Sequence, residues 1–231
     1  PHDAAAVAAV DARGGCDGNG GMGGGGGGPP GTRTLTVPWH AISCARGKRY
    51  TYRLRLGGVE DPLTARTRAH EFRPVDVAAV RAALTALVGT HDFSSFANTA
   101  ASRGGGHTTA AQHNPVRTVA AAELVAEDAA PSTSPGHPRP AGGGADYRVD
   151  VVLDAALYKM VRNLVGAALA VGTGRLSLAA LTRLRDVPVM GANRWVAPAR
   201  GLCLVRVLYE VPFADEGADV AAVALLSAAA E

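Results

Sequence analysis

Arg162 is the residue whose surroundings most strongly suggest chemistry. Apolar residues recur at helical spacing through residues 157–166, and Arg162 stands beside this stripe, with Tyr158 and Val165 as its helical neighbours. A half-buried guanidinium needs an anion or another acceptor. The helix offers no carboxylate within one turn, so the anion must come from elsewhere in the fold or from a ligand. The alternative is a structural arginine that reaches solvent or bonds a backbone carbonyl.

Two tyrosines on one predicted strand are the second candidate group. Residues 47–56 alternate strictly, with Tyr50 and Tyr52 on the same face as two leucines. Arg49 and Arg53 lie on the opposite face, and Lys48 precedes the tyrosines. Aromatic rings flanked by cations can stack on a base while the cations hold phosphates. The alternative is a pair of core tyrosines, because their face also carries the leucines.

Metal, disulfide and nucleotide-loop chemistry are not indicated. The seven histidines are scattered, and the three cysteines (Cys16, Cys44 and Cys203) are far apart. They predict neither a metal site nor a disulfide framework, and a reducing compartment is the default. The glycine-rich stretch 14–31 lacks the G-K-[ST] ending of a phosphate loop. We therefore expect no cofactor and no metal.

Charge is unevenly distributed along the 231 residues, although the net charge is only +3. Residues 32–117 hold 12 basic and 5 acidic residues, and residues 146–209 hold 9 and 4. The remainder of the chain is acidic. A polyanionic partner is therefore the first hypothesis, against a basic solvated surface without a partner.

The elements that must position these residues follow from hydrophobic periodicity. Strands are predicted at residues 47–56, 116–127, 147–153 and 201–209. Helices are predicted after a cap at Asp76 up to Gly89, and at residues 156–171 and 178–185, with a compact turn at 91–96. This order favours an α+β domain whose sheet is largely antiparallel, with helices packed on one face.

Five segments, in order, resemble the TruA-like family of tRNA pseudouridine synthases. The segment at 160–166, M-V-R-N-L-V-G, is close to the family's M-V-R-N-[IL]-V-G, and L-V-G-T-H-D-F-S-S-F at 87–96 is similar to L-x-G-x-H-D-F-x-S-F. The other three are W-H-A followed by A-R-G-K-R-Y-T-Y at 39–52, P-V-R-T-V at 115–119, and A-P-A-R-G-L-C-L at 197–204. Five weak signals in the family's order are hard to obtain by chance.

The resemblance implies a tRNA-modifying isomerase that turns uridine into pseudouridine without a cofactor. It places Arg162 in a pair with the nucleophilic aspartate, and Tyr50 against the flipped base as a possible acceptor of the C5 proton. Lys48, Arg49, Arg53 and Arg117 become candidate RNA contacts. It also implies a homodimer acting in the anticodon stem-loop, at about positions 38–40 of the tRNA in family members. The compartment would be intracellular, in the cytoplasm or in an organelle, with no membrane association.

The resemblance also divides the chain. Residues 1–13 would end a preceding N-terminal domain, and 14–31 would be a disordered glycine-rich insert. The synthase C-terminal domain would span 32–210, with a low-complexity loop at 131–145 and an alanine-rich tail at 211–231.

One departure from the family concerns the catalytic aspartate. The family carries it in a G-R-T-D-x-G-V-H motif upstream of the matched segments, and this sequence does not contain that motif. We therefore expect the full-length protein to be the enzyme, and this chain alone to bind tRNA weakly and be inactive. The alternatives are an RNA-binding protein that keeps the fold without catalysis, and a structural or dimerisation module whose basic face is incidental.

Overall fold

The computed structural model describes residues 41, 45–98, 114–127 and 144–209. The predicted segments 1–13, 14–31 and 211–231 lie outside these ranges, as does the low-complexity loop up to residue 143.

The described residues form one mixed sheet of six strands. The strands are β1 (Ala45–Leu56), β2 (Ala69–Glu71), β3 (Gly89–Asp92), β4 (Val116–Ala126), β5 (Ala145–Leu153) and β6 (Leu202–Tyr209). The order is β2-β1-β5-β4-β3, and β6 pairs with β1 beside β2. Only the short β1–β2 pairing is parallel among the described strands. The predicted α+β fold with a largely antiparallel sheet is confirmed.

Three helices complete the fold: α1 (Val77–Ala86), α2 (Met160–Gly172) and α3 (Leu178–Asp186). The carboxylate of Asp76 accepts hydrogen bonds from the backbone N–H groups of Ala78 and Ala79 at the start of α1, which confirms the predicted cap. Helix α2 is the central helix, because every one of its residues except Arg162 is buried. It contacts α1, α3 and the turn at Ser94–Phe96.

The alternation of β1 decides which side of the sheet becomes the core. Tyr52 and Leu54 are almost completely buried and belong to one cluster with Leu84 of α1 and Leu164 of α2. The intervening residues of β1 point to the other side of the sheet. The helices and the apolar half of β1 therefore share one side of the sheet, called the core face below.

The structure corrects two predictions and adds one short strand that was not predicted. Helix α2 begins at Met160 and not at residue 156, because Lys159 adopts a left-handed backbone conformation (φ 62°) that a continuous helix cannot contain. His91 and Asp92 belong to strand β3 rather than to a compact turn, although Phe93 and Phe96 are the buried anchors that were expected. Strand β2, with three residues, is too short to produce an alternation signal in the sequence.

Candidate active site

Tyr50 lies on the core face of β1, between Val151 of β5 and Leu204 of β6. Its side chain is only partly buried and packs against the edge of the core, whereas Tyr52 is fully buried. Burial raises the pKa of the Tyr50 phenol above its ordinary value, so the hydroxyl is neutral near pH 7. Tyr50 thus presents a neutral aromatic surface at the rim of the core, while Tyr52 occupies the core position that the sequence predicted.

Arg162 projects from α2 toward the segment that precedes β6. Its Nε donates a hydrogen bond to the carbonyl of Ala197 at 2.8 Å, and its own carbonyl accepts one from the backbone N–H of Ala197 at 3.0 Å. Within the described ranges, no carboxylate forms an ion pair with Arg162. One of the two readings of the sequence, an arginine that bonds a carbonyl, is therefore realised at Nε. A ligand-facing role depends on the other guanidinium nitrogens.

Tyr52 links the strand that carries Tyr50 to the segment that holds Arg162. The Tyr52 hydroxyl donates to the carbonyl of Pro198 at 2.8 Å, next to the residue that holds Arg162. Burial raises the pKa of the Tyr52 phenol, and the charges of Arg162 and Arg200 oppose this shift. Arg162 is therefore close enough to act on the Tyr52 phenol, and Tyr50 lies two residues away on the same face.

Lys48 and Arg117 lie on the core face as well. Lys48 is directly opposite Leu153 of β5, which in turn is opposite Val119 of β4. Arg117, two residues before Val119, belongs to the same face by alternation. Its side chain is only 7% exposed, and its Nη1 donates to the carbonyl of Val116 at 2.6 Å.

Asp154 directly follows β5 and lies close enough to Arg117 to feel its charge. Sequence reasoning did not identify this residue as a candidate. Burial raises the pKa of its carboxyl group, while backbone hydrogen bonds and the charge of Arg117 lower it. Its position directly after β5 is the only sequence signal, and that signal is too common to identify a functional residue.

Arg49 and Arg53 point away from this site, to the other face of the sheet. There Arg49 lies 4.0 Å from a carboxylate oxygen of Asp150, and Arg53 lies 3.5 Å from one of Glu127. Further ion pairs on this face join Arg55 and Arg68 to Asp146, Arg68 to Glu127, and Arg148 to Asp150. Five arginines on this face thus share three carboxylates, two from β5 and one directly after β4, which compensate their charge in part.

Asn163 follows Arg162 in α2 and is a polar residue that sequence reasoning did not identify as a candidate. Its Nδ2 donates to the carbonyl of Phe96 and to Oδ1 of Asn98 at 3.0 Å, and its backbone carbonyl accepts a bond from Asn193. Asn163 therefore ties α2 to two other segments, one that contains Phe96 and Asn98 and one that contains Asn193. Its place directly after Arg162 in the M-V-R-N segment was the available signal.

The described residues provide no cluster of three His, Cys, Asp or Glu side chains that could hold a metal ion. Among the same residues, no helix has the length and apolar character needed to cross a membrane.

Comparison with known proteins gives one consistent result. The family whose sequence model matches is described as tRNA pseudouridine synthase, and the match covers residues 83–210. The chain is 34% identical over 182 residues to a tRNA pseudouridine synthase A 1 of Desulfotalea psychrophila, covering 77% of this chain and 63% of that protein. It is 37% identical over 175 residues to a tRNA pseudouridine synthase A of Lacticaseibacillus casei, covering 76% and 62%. The chain thus spans about three fifths of the length of the curated relatives it matches.

Proposed function

Since the chain belongs to the tRNA pseudouridine synthase family, we propose that the protein converts uridine to pseudouridine in tRNA and that Arg162 and Tyr50 act at the reacting base. The observation that carries the assignment is Arg162. It is the one residue of α2 that is not buried, and no described carboxylate pairs with it. A cation that is fixed at one nitrogen, and linked through Tyr52 to the strand that carries Tyr50, is suited to hold an anion close to a stacked base.

The reaction is an isomerisation within one nucleotide. The bond from C1′ of the ribose to N1 of uracil breaks, the base turns, and a bond from C1′ to C5 forms. The C5 proton is lost and N1 gains a proton, so the atoms balance without a group donor or an oxidant. The target base must leave its stack at a cost of a few kcal/mol, which favours an aromatic platform in the site.

We propose that Arg162 pairs with the nucleophilic aspartate of the family motif and keeps it ionised. A guanidinium within a few ångströms lowers a carboxyl pKa and favours the charged, nucleophilic form. Residues 1–231 contain no G-R-T-D-x-G-V-H segment. The isolated chain is accordingly proposed to bind tRNA weakly and to lack activity.

Tyr50 is proposed to stack on the flipped uracil and, once its phenol has given up its own proton to solvent, to receive the C5 proton. Its position at the rim leaves part of the ring accessible, in contrast to the enclosed ring of Tyr52. Because burial keeps the phenol neutral, stacking is the contribution present before any proton moves. Tyr50→Leu should therefore reduce activity more than Tyr50→Phe, which retains the aromatic surface.

The candidate RNA contacts differ in how directly they can act. Lys48 lies on the face of Tyr50, so it is proposed as the direct phosphate contact. The side chains of Arg49 and Arg53 are 40% and 51% exposed but sit across the sheet in ion pairs, and Arg117 is buried. These three are proposed to contribute mainly through the electrostatic field. A contact of this kind falls steeply with salt.

The decisive experiment maps pseudouridine in tRNA treated with the protein encoded by the complete gene. Arg162→Ala should abolish the modification, whereas Arg73→Ala should leave it, because Arg73 follows β2 and pairs there with Glu71. Wild-type activity in Arg162→Ala would refute the proposed role of Arg162 at the reacting base. Robust pseudouridine formation by the 231-residue chain alone would contradict only the proposed inactivity.

RNA binding can be tested separately by titrating tRNA at several salt concentrations. Lys48→Ala should weaken binding and reduce the salt slope by about one contact. Arg49→Ala should weaken it less, and Arg73→Ala, a matched arginine paired with Glu71, should have no effect. Binding that does not depend on salt would instead favour a structural module.

A second candidate is an RNA-binding protein that keeps the fold without catalysis, for which the excess of basic residues in 32–117 and 146–209 is the supporting observation. It would bind tRNA with the same salt dependence, and the product of the complete gene would form no pseudouridine. The anticodon stem-loop as target and a homodimeric assembly are further proposals from the family resemblance. The positions of the modified uridines and the mass measured by light scattering test them respectively.

A further inference from the structure

The segment that precedes β6 is joined to Arg162 at two points. The backbone N–H of Ala197 donates to the Arg162 carbonyl, and the Ala197 carbonyl accepts from Nε of the same arginine. Any displacement of Ala197 must therefore move the guanidinium or break one of these bonds. The orientation of Arg162 is consequently determined by whatever holds Ala197 and its neighbour in place.

Tyr52 holds Pro198, the residue that follows Ala197. Its ring is completely buried, and its hydroxyl donates to the carbonyl of Pro198 at 2.8 Å. A buried ring on a central strand is a rigid support, since β1 is hydrogen-bonded on both sides. The hydroxyl therefore fixes the backbone one residue away from the acceptor of Arg162.

The contacts around Tyr52 leave little room for an alternative arrangement. A Cβ added at Gly201 would lie 2.9 Å from Cζ of Tyr52 and 2.5 Å from the carbonyl oxygen of Arg53. Within the short helical turn Ala199–Gly201, Arg200 pairs with Glu60 at 2.6 Å. The segment from Ala197 to Gly201 is thus held against β1 by close packing and by an ion pair.

We propose that Tyr52 is a positioning residue: its hydroxyl, through Pro198 and Ala197, fixes Arg162 so that the remaining guanidinium nitrogens face the reacting carboxylate. The catalytic part of this inference rests on the proposed function. The positioning part concerns only groups within this chain. Tyr50 and Tyr52 thereby have different tasks, one at the base and one behind the arginine.

The positioning part is tested by NMR on the 231-residue chain with ¹⁵N-labelled arginine. The Arg162 Nε–H signal is assigned by its loss in Arg162→Lys, and its exchange with solvent is measured. In Tyr52→Phe, which keeps the ring and its packing, exchange should accelerate about five- to tenfold, the factor expected for one lost hydrogen bond. Tyr147→Phe on the neighbouring strand is the matched control and should leave the exchange rate unchanged. An unchanged rate in Tyr52→Phe would overturn the proposal.

The catalytic part is tested with the protein encoded by the complete gene. Tyr52→Phe should lower kcat about fivefold or more while KM for tRNA stays constant, because the arginine and not RNA binding is disturbed. In an Arg162→Lys background, which has no Nε, the same substitution should have no further effect on kcat. An equal loss of kcat in both backgrounds would show that Tyr52 does not act through Arg162 and would overturn the proposal.

The two proposals can fail separately. If Arg162→Ala retains wild-type kcat while Tyr52→Phe accelerates Nε–H exchange, Tyr52 positions an arginine that catalysis does not use, and the proposed catalytic role of Arg162 fails. If Arg162→Lys is impaired while Tyr52→Phe changes neither exchange nor kcat, the proposed function stands and the positioning role is refuted.

Discussion

Gly166 provides a direct test of how tightly α2 is packed against the segment that holds Arg162. It lies one helical turn after Arg162, on the side of α2 that faces Trp195 and Ala197. A Cβ at this position would lie 2.5 Å from the carbonyl oxygen of Trp195 and 2.8 Å from the backbone nitrogen of Ala197. Both atoms belong to backbone, so neither can rotate away as a side chain would. Gly166→Ala must therefore separate the helix from the segment.

Three contributions determine the size of the effect. Alanine in a helix interior is favoured over glycine by about 1 kcal/mol. Overpacking against rigid neighbours costs about 1 to 3 kcal/mol, and loosening the two hydrogen bonds between Arg162 and Ala197 costs about 1 kcal/mol each. The losses outweigh the gain, and we expect the free energy of unfolding to fall by about 2 to 4 kcal/mol. For a chain of this size this corresponds to a decrease in Tm of about 4 to 16 °C.

Urea denaturation and thermal unfolding of the isolated chain measure this difference. The control is Ala179→Gly on the exposed side of α3, which changes helix propensity alone and should cost about 1 kcal/mol. Gly166→Ala should also accelerate the exchange of the Arg162 Nε–H, which Ala179→Gly should not. If Gly166→Ala is as stable as the wild type or more stable, the helix is not in close contact with residues 195–197, and the reasoning is refuted.

Two further predictions concern the folding of the same chain. Asp76→Ala removes the acceptor of two backbone N–H groups at the start of α1 and should lower the free energy of unfolding by about 1 kcal/mol in urea denaturation; an unchanged midpoint would contradict the capping role. Burial raises the pKa of the Tyr52 phenol in the folded state above its ordinary value of 10.0. The neutral phenol therefore contributes its full stabilisation below about pH 10. As the pH rises further, the free energy of unfolding falls by about 1.4 kcal/mol per pH unit. Tyr52→Phe should reduce this loss of stability, as measured by urea denaturation between pH 9 and pH 11. An identical loss in the wild type and in Tyr52→Phe would show that Tyr52 is not its source.

Local patterns in the sequence were sufficient where a single element decides the structure. The alternation of residues 47–56 predicted strand β1 and the side on which each residue lies, because side chains of a strand alternate regardless of its partners. Asp76 predicted the start of α1 because the cap bonds only its own helix. The buried positions of Tyr52 and Leu54 followed from the same alternation.

The sequence was insufficient where distant segments decide the structure. Lys159 adopts φ 62°, a conformation that no residue-type preference indicates for lysine, and the helical periodicity therefore placed the start of α2 four residues too early. The acceptor of Arg162 is 35 residues away in the chain. Spacing on one helix can show that such a residue needs a partner, but not which one it finds.

The charge of β1 shows why composition predicts a binding face less well than it predicts a basic domain. Arg49, Arg53 and Arg55 share one side of the strand and look like a cationic surface in isolation. In the sheet they meet Asp150 and Asp146 of β5 and Glu127 directly after β4, about 75 to 100 positions later in the chain. Because five arginines share these three carboxylates on that side, each arginine is partly compensated, and we expect RNA contacts first from cations that have no acidic partner among the described residues. Among the described residues, Lys48 and Arg162 meet this condition on the side of the sheet that carries Tyr50. The binding experiments with Lys48→Ala and Arg49→Ala separate the two sides of the sheet.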